Sequence, residues 1–143
     1  MSGTKSRDKG KRGEREVIEL LQPVVNEVRE SFGLAPMLLK RNTLQADRGG
    51  SDIAGLHWLA IECKYQEQTN TTAWWKQTLE QAQADQEPVL FYRRNNIAWR
   101  VKMHGLLGRV SCGQQVPVTV DVLDFIKWFR MRLIQQLEKE QGS

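Results

Sequence analysis

Between Lys11 and Phe32 the apolar residues return every three or four positions. Val17, Leu21, Val24, Val25, Val28 and Phe32 fall on one stripe, which predicts an amphipathic helix. Pro23 interrupts the stripe, so a kink or a second helix starting there is expected, and Gly33 is a natural stop. Pro36 to Lys40 has the short apolar run of a strand. A polar, glycine-bearing turn follows at 45–51, then two strand candidates, Asp52–Ala54 and His57–Tyr65, with Gly55 between them. Thr71 or Thr72 can cap a helix to about Asp85. Pro88–Arg93 and Ile97–Met103, joined by Arg94, Asn95 and Asn96, have the pattern of a hairpin. Residues 104–120 leave room for a short helical turn and a last strand at Val116–Val120. Asp121 then caps a helix to about Lys139, with Val122, Ile126, Phe129, Leu133 and Leu137 on one face. Helix, three strands, helix, two strands and helix together describe an α/β protein with helices on the faces of its sheet.

Composition narrows this picture. The chain has 143 residues, 40% of them hydrophobic, which suits one domain with a real core. No apolar run reaches the roughly 20 residues of a bilayer span, and the polar N-terminus lacks a signal-peptide core, so a cytoplasmic location is expected. Cys63 and Cys112 have neither disulfide-framework nor zinc spacing and are expected to be small buried hydrophobes. Net charge is +4, and its distribution matters more than its size. Up to Arg15 the basic residues Lys5, Arg7, Lys9, Lys11, Arg12 and Arg15 face only Asp8 and Glu14, a surplus equal to that of the whole chain. Residues 1–9 are expected to form a flexible basic arm, either tracking phosphates or simply solubilising, ahead of a single domain over 10–143.

The chemistry concentrates in Gly49-Gly50-Ser51-Asp52 and Ile61-Glu62-Cys63-Lys64-Tyr65. Side chains alternate along a strand, so Trp58, Ala60, Glu62 and Lys64 are expected on one face and Leu59, Ile61, Cys63 and Tyr65 on the other. Two charges in an apolar strand are costly unless paired or bound to metal. A tight turn at Gly55 would set Asp52 beside Glu62, and two adjacent carboxylates suit a hard divalent cation such as Mg²⁺. Glu14 lies four residues before Ile18 and seven before Leu21, so it continues the buried face of the first helix, whereas Glu16 and Glu19 point elsewhere. Each residue also has a plainer reading: an edge ion pair for Glu62 and Lys64, a turn residue for Asp52, a solvated first-turn acid for Glu14.

The run Lys9-Gly10-Lys11-Arg12-Gly13-Glu14-Arg15-Glu16, then Gly50-Ser51-Asp52, then Ile61-Glu62-Cys63-Lys64, resembles the archaeal-type Holliday junction resolvases and, more broadly, the PD-(D/E)XK nuclease superfamily. The resemblance extends from about Lys9 to Met103. It implies a restriction-endonuclease-like core, here a mixed five-stranded sheet flanked by helices, with an extra C-terminal helix. It implies Glu14, Asp52, Glu62 and Lys64 as catalytic residues. Asp52, Glu62, the main-chain carbonyl of Cys63 and, less directly, Glu14 would be ligands of Mg²⁺, with Mn²⁺ as a substitute. The implied partner is DNA, most of all branched DNA, and the implied particle is a homodimer.

Around this centre Lys9, Lys11, Arg12, Arg48, Arg93 and Arg94 are candidate DNA contacts, and Gln81 a candidate auxiliary residue or a solvated one. Trp74 and Trp75 could stack on bases or join the core. Phe125 and Trp128 lie off the main stripe of the last helix and are candidates for a dimer interface. The activity expected is a Mg²⁺-dependent, structure-selective DNA endonuclease. Rival readings are a sequence-specific restriction or homing-type nuclease, disfavoured by the short chain, and a DNA-binding module without chemistry, disfavoured by the intact Glu62-x-Lys64.

Overall fold

The computed structural model describes residues 2–43, 51–108 and 113–142, and the side chains from Arg7 onward; Arg48, the Gly49-Gly50 turn and Cys112 lie outside that description. In chain order the elements are α1 (Ser2–Ser31), β1 (Lys40–Arg41), β2 (Ile53–Ala54), β3 (Leu59–Tyr65), α2 (Thr71–Gln81), β4 (Glu87–Arg93), β5 (Arg100–Leu107), β6 (Gln114–Asp121) and α3 (Val122–Gly142).

The sheet has four strands in the order β3-β4-β5-β6, not five. β3 and β4 run parallel, as the α2 crossover between them requires, and β4-β5-β6 continue antiparallel. β1 and β2 form a separate two-stranded antiparallel ribbon. It is tied to β3 by the Asp52 N–H, which donates to the Ile61 carbonyl at 2.7 Å, and by Ser51 Oγ, which accepts from the Ile61 N–H at 2.9 Å. The expected strand Pro36–Lys40 shrinks to Lys40–Arg41 because α1 takes over its backbone. Gln22 Oε1 accepts from the Leu39 N–H, Gln22 Nε2 donates to the Met37 carbonyl, and Arg29 Nε donates to the Ala35 carbonyl. With those groups satisfied, no ladder is needed.

α1 is longer than expected at its start. Residues 2–9, expected as a flexible arm, are helical, and Pro23 lies inside the helix without ending it. α2 is capped by Asn70, whose Oδ1 accepts from the Ala73 N–H, instead of by a threonine. The Asp121 cap of α3 is as expected, with Oδ1 accepting from the Asp124 N–H at 2.8 Å. β5 starts at Arg100, after a turn in which Asn96 takes φ +61°, and continues to Leu107 where a helical turn was considered.

The two faces of the sheet are covered unequally. Leu59, Ile61, Cys63, Tyr65, Val89, Phe91, Val101 and Met103 join α1 and α3 in the main core. On the other face α2 packs Trp74 and Trp75 against Leu90, with Tyr92 beside them, so neither tryptophan is offered to bases. Trp58, expected on the Glu62 face, precedes β3 and stacks on Phe129 of α3 at 6.0 Å. Phe125, proposed above for an interface, is 0% exposed and packs edge-on against Phe91 at 5.0 Å. That burial overturns its interface role, and Trp128 is half-buried against Phe125 and Trp58. Among the described residues no helix is long and apolar enough to cross a membrane.

Candidate active site

Strand parity places the chemistry. The odd residues of β3, Leu59 to Tyr65, enter the main core, so Glu62 and Lys64 emerge on the α2 face. Gly55, at φ +120°, turns the chain between β2 and β3 where a side chain would meet Leu39 Cδ2 at 3.0 Å. The turn lays Ser51 and Asp52 alongside Ile61 to Cys63. Asp52 Oδ2 accepts from the Cys63 N–H at 2.7 Å, which fixes the carboxylate beside Glu62. Ile61 directs both its N–H and its carbonyl toward Ser51 and Asp52. Residues two apart on a strand repeat that direction, so the Cys63 carbonyl faces the Asp52 side as well.

α1 brings the third carboxylate. Gly13 lets the helix lie against β3: a Cβ there would sit 3.1 Å from Tyr65 Cβ and 3.4 Å from Trp99. The next residue, Glu14, is thereby aimed at the strand, where Arg41 Nε of β1 donates to its Oε2. A cleft of about 440 Å³ is lined by Gly10, Glu14, Asp52, Glu62, Lys64 and the α2 residues Gln77 and Gln81, among others.

The electrostatics are those of crowded carboxylates. Glu62 is 4% exposed, and its pKa is raised to about 8, first by burial and then by the charge of Asp52, against the opposing pull of Lys64. Burial likewise raises Glu14, partly offset by Arg41, and drives the Cys63 thiol well above its ordinary range. Cys63 is therefore a buried structural thiol, as expected.

Does this donor set fit a divalent cation? Among the described residues no three His, Cys, Asp or Glu side chains form a ready-made metal cage. Two buried carboxylates at an open cleft nevertheless suit Mg²⁺, which usually takes one or two carboxylates and keeps waters for the rest. The crowding of Glu62 against Asp52 is the conflict that such a cation would relieve.

Residues 5–124 match the family model described as "Phage putative PDDEXK endonuclease". The chain belongs to this PDDEXK family. No curated protein and no solved structure matches it. The family match takes in β6 and stops at the start of α3, so most of the last helix lies outside it.

In this PDDEXK chain Glu14, Asp52, Glu62, Lys64 and the auxiliary candidate Gln81 share one cleft. The candidate DNA contacts divide. Lys11 and Arg94 are exposed. Lys9 pairs with Glu67 at 2.7 Å and lies over the Tyr65 ring, and Arg12 is 3.5 Å from Glu16. Arg93 is largely taken by the fold: it donates to Glu16 at 2.7 Å and stacks on Tyr65 at 4.6 Å. Gln77, Gly10 and Gln66 also line the cleft and were not singled out from the sequence. Gln77 stands four residues before Gln81 on the same helix, a one-turn spacing that could have found it.

Proposed function

We propose that the chain is a Mg²⁺-dependent DNA endonuclease whose catalytic residues are Glu14, Asp52, Glu62 and Lys64. The observation that carries this reading is the placement of Asp52 beside Glu62, through the Cys63 N–H bond, at a cleft that also holds Lys64 and Glu14. Asp52, Glu62 and the Cys63 carbonyl would hold the cation, and Glu14, already engaged by Arg41, would act from the cleft wall. A cation there supplies Lewis acidity toward the phosphate and makes water a better nucleophile. Lys64, partly exposed on the same face, is placed to donate a hydrogen bond to a phosphate oxygen, or to the attacking water's oxygen as it loses its proton. The α2 glutamines offer neutral polar groups for sugar or phosphate without adding charge.

Branched DNA is the preferred form in this reading, supported by the motif resemblance over Lys9 to Met103. A homodimer would place two such centres for paired cuts. Its interface would have to use a surface other than Phe125, and light scattering of the native protein at micromolar concentration tests it. The nuclease reading is tested by incubating the protein with four-way junction, flap, duplex and single-stranded DNA, with Mg²⁺, Mn²⁺ or chelator. Divalent-dependent cleavage with preference for the junction is expected. Cleavage in chelator, or none on any substrate by folded protein, overturns it.

A further inference from the structure

A second cleft, of about 410 Å³, opens at the β4–β5 turn. Its lining includes Arg93, Arg94, Arg100, Tyr92, Thr69 and Ile97, and no carboxylate. It stands next to the acidic cleft. Tyr92 is the β4 register partner of Lys64, and partners on adjacent strands lie about 4.8 Å apart with side chains on the same face. One cleft thus gathers carboxylates and its neighbour gathers guanidinium groups and hydroxyls.

We propose that this second cleft is a phosphate-binding pocket for a non-scissile backbone phosphate of the DNA strand being cut, one near the phosphate held over Glu62 and Lys64. The inference rests on the nuclease reading and names how the strand is held there. Arg93 is the positioning residue. Its charge is met by Glu16 at 2.7 Å, and its guanidinium lies over Tyr65 and Trp99. The turn is pinned through Asn95. Glu67 Oε1 accepts from the Asn95 N–H at 3.0 Å and from Lys9 at 2.7 Å, and the Tyr65 hydroxyl donates to Asn95 Oδ1 at 2.9 Å. Arg94 and Arg100 are exposed and form no salt bridge among the described residues. They supply the surplus charge, Arg94 on the turn and Arg100 at the start of β5, both held in place before any ligand arrives. Guanidinium forks and hydroxyls match phosphate oxygens, and Ile97 and Tyr92 offer an apolar wall to the adjoining sugar.

The test measures binding without chemistry. Fluorescence anisotropy of the full chain with labelled DNA, in chelator and across a salt series, compares wild type with Arg94→Ala/Arg100→Ala. The expected result is an affinity loss of about tenfold at low salt and a log–log salt slope shallower by about 0.9, the loss of one phosphate contact. Arg94→Lys/Arg100→Lys, which keeps the charge, should restore the slope. A scan of DNA carrying single methylphosphonates should find one neutralised phosphate that weakens wild type and leaves the alanine variant unchanged. Unchanged affinity and slope in a folded alanine variant overturn the proposal. So does a scan without such a position, or thermal stabilisation of wild type by inorganic phosphate or thymidine monophosphate with a DNA slope that ignores the substitutions. Should the double variant fail to fold, exposed Arg94→Gln alone carries the same comparison. Loss of Mg²⁺-dependent cleavage bears on the nuclease reading alone, since the pocket is read in chelator.

Discussion

Glu14 and Glu16 stand two residues apart on one helix, and the fold uses them in opposite ways. Glu16 accepts from Arg93 at 2.7 Å and from Trp99 Nε1 at 3.3 Å, locking α1 to the β4–β5 unit. Glu14 looks into an open cleft beside two further carboxylates, where burial raises its pKa despite Arg41. The same contrast runs through the sheet. The α1/α3 face buries aromatic and branched residues in one continuous core, whereas the α2 face keeps a small apolar cluster and gives the rest to charge. One acid is matched to a cation built into the protein. The other three are crowded at one cleft, Glu14 beside Arg41 and Asp52 on the Cys63 N–H, and that crowding is what the proposed cation would relieve.

The largest effect expected from breaking this contrast falls on cleavage. Asp52→Asn and Glu62→Gln should each lower divalent-dependent cleavage by about a hundredfold or more, because amides lose the charge that holds a hard cation. DNA affinity measured in chelator should stay the same or rise, as a negative charge leaves the cleft. Near-wild-type cleavage by either folded variant would show the crowding to be incidental.

Next come the stabilities of the two faces. Phe125→Ala should cost about 3–5 kcal/mol in denaturant titration, the usual loss for a fully buried aromatic. Glu62→Gln should cost nothing measurable in chelator or add stability, since burial and Asp52 disfavour the ionised carboxylate it replaces. A large loss from Glu62→Gln would mean that the surroundings favour the ionised carboxylate more than burial and Asp52 disfavour it.

The pH response sharpens the point. Glu62 titrates near 4.5 when unfolded and near 8 when folded, so the folded state binds the extra proton between those values. Stability of the metal-free protein should therefore be full below about pH 4.5 as far as this group is concerned, fall as pH rises, and level off above about pH 8. Glu14 shifts in the same direction. Millimolar Mg²⁺ should raise the thermal midpoint more at pH 8 than at about pH 5, because it binds the ionised pair. Glu62→Gln should flatten the profile, and a midpoint that climbs with pH in chelator would contradict the assigned protonation.

Much of this centre was legible in the sequence because it depends on short-range rules. Alternation placed Glu62 and Lys64 on one face, Gly55 supplied the turn to Asp52, and helical spacing turned Glu14 inward. What escaped depends on contacts far apart in the chain. Gln22 and Arg29 dissolve a predicted strand from across a loop, and Arg93 finds Glu16 from 77 positions away. Phe125 was misplaced because the first turn of α3 carries apolar residues on two sides, and only Phe91, on a strand the helix cannot foresee, decides which side is the core. The basic residues were visible as a group, yet which of them belong to the fold is set by Glu16 and Glu67.

Lys9 provides the smallest and most discriminating test of that division. It bridges to Glu67 at 2.7 Å, and together with the Asn95 N–H it holds the Glu67 carboxyl below its ordinary pKa. Both partners remain in contact with solvent, so the pair should add little to stability, like most surface ion pairs. If Lys9 serves the turn alone, Lys9→Ala should leave DNA binding unchanged. If it also meets a phosphate, the salt slope should become shallower by about 0.9 with the thermal midpoint unmoved. The second outcome is expected, because Lys9 sits one residue before Gly10 at the mouth of the acidic cleft, with Arg12 beside it over the same Tyr65 ring. Glu67→Gln separates the two roles further. Releasing Lys9 from its acid should strengthen DNA binding slightly while loosening the turn, and a loss of binding instead would place Lys9 with Arg93, among the cations that hold the fold together.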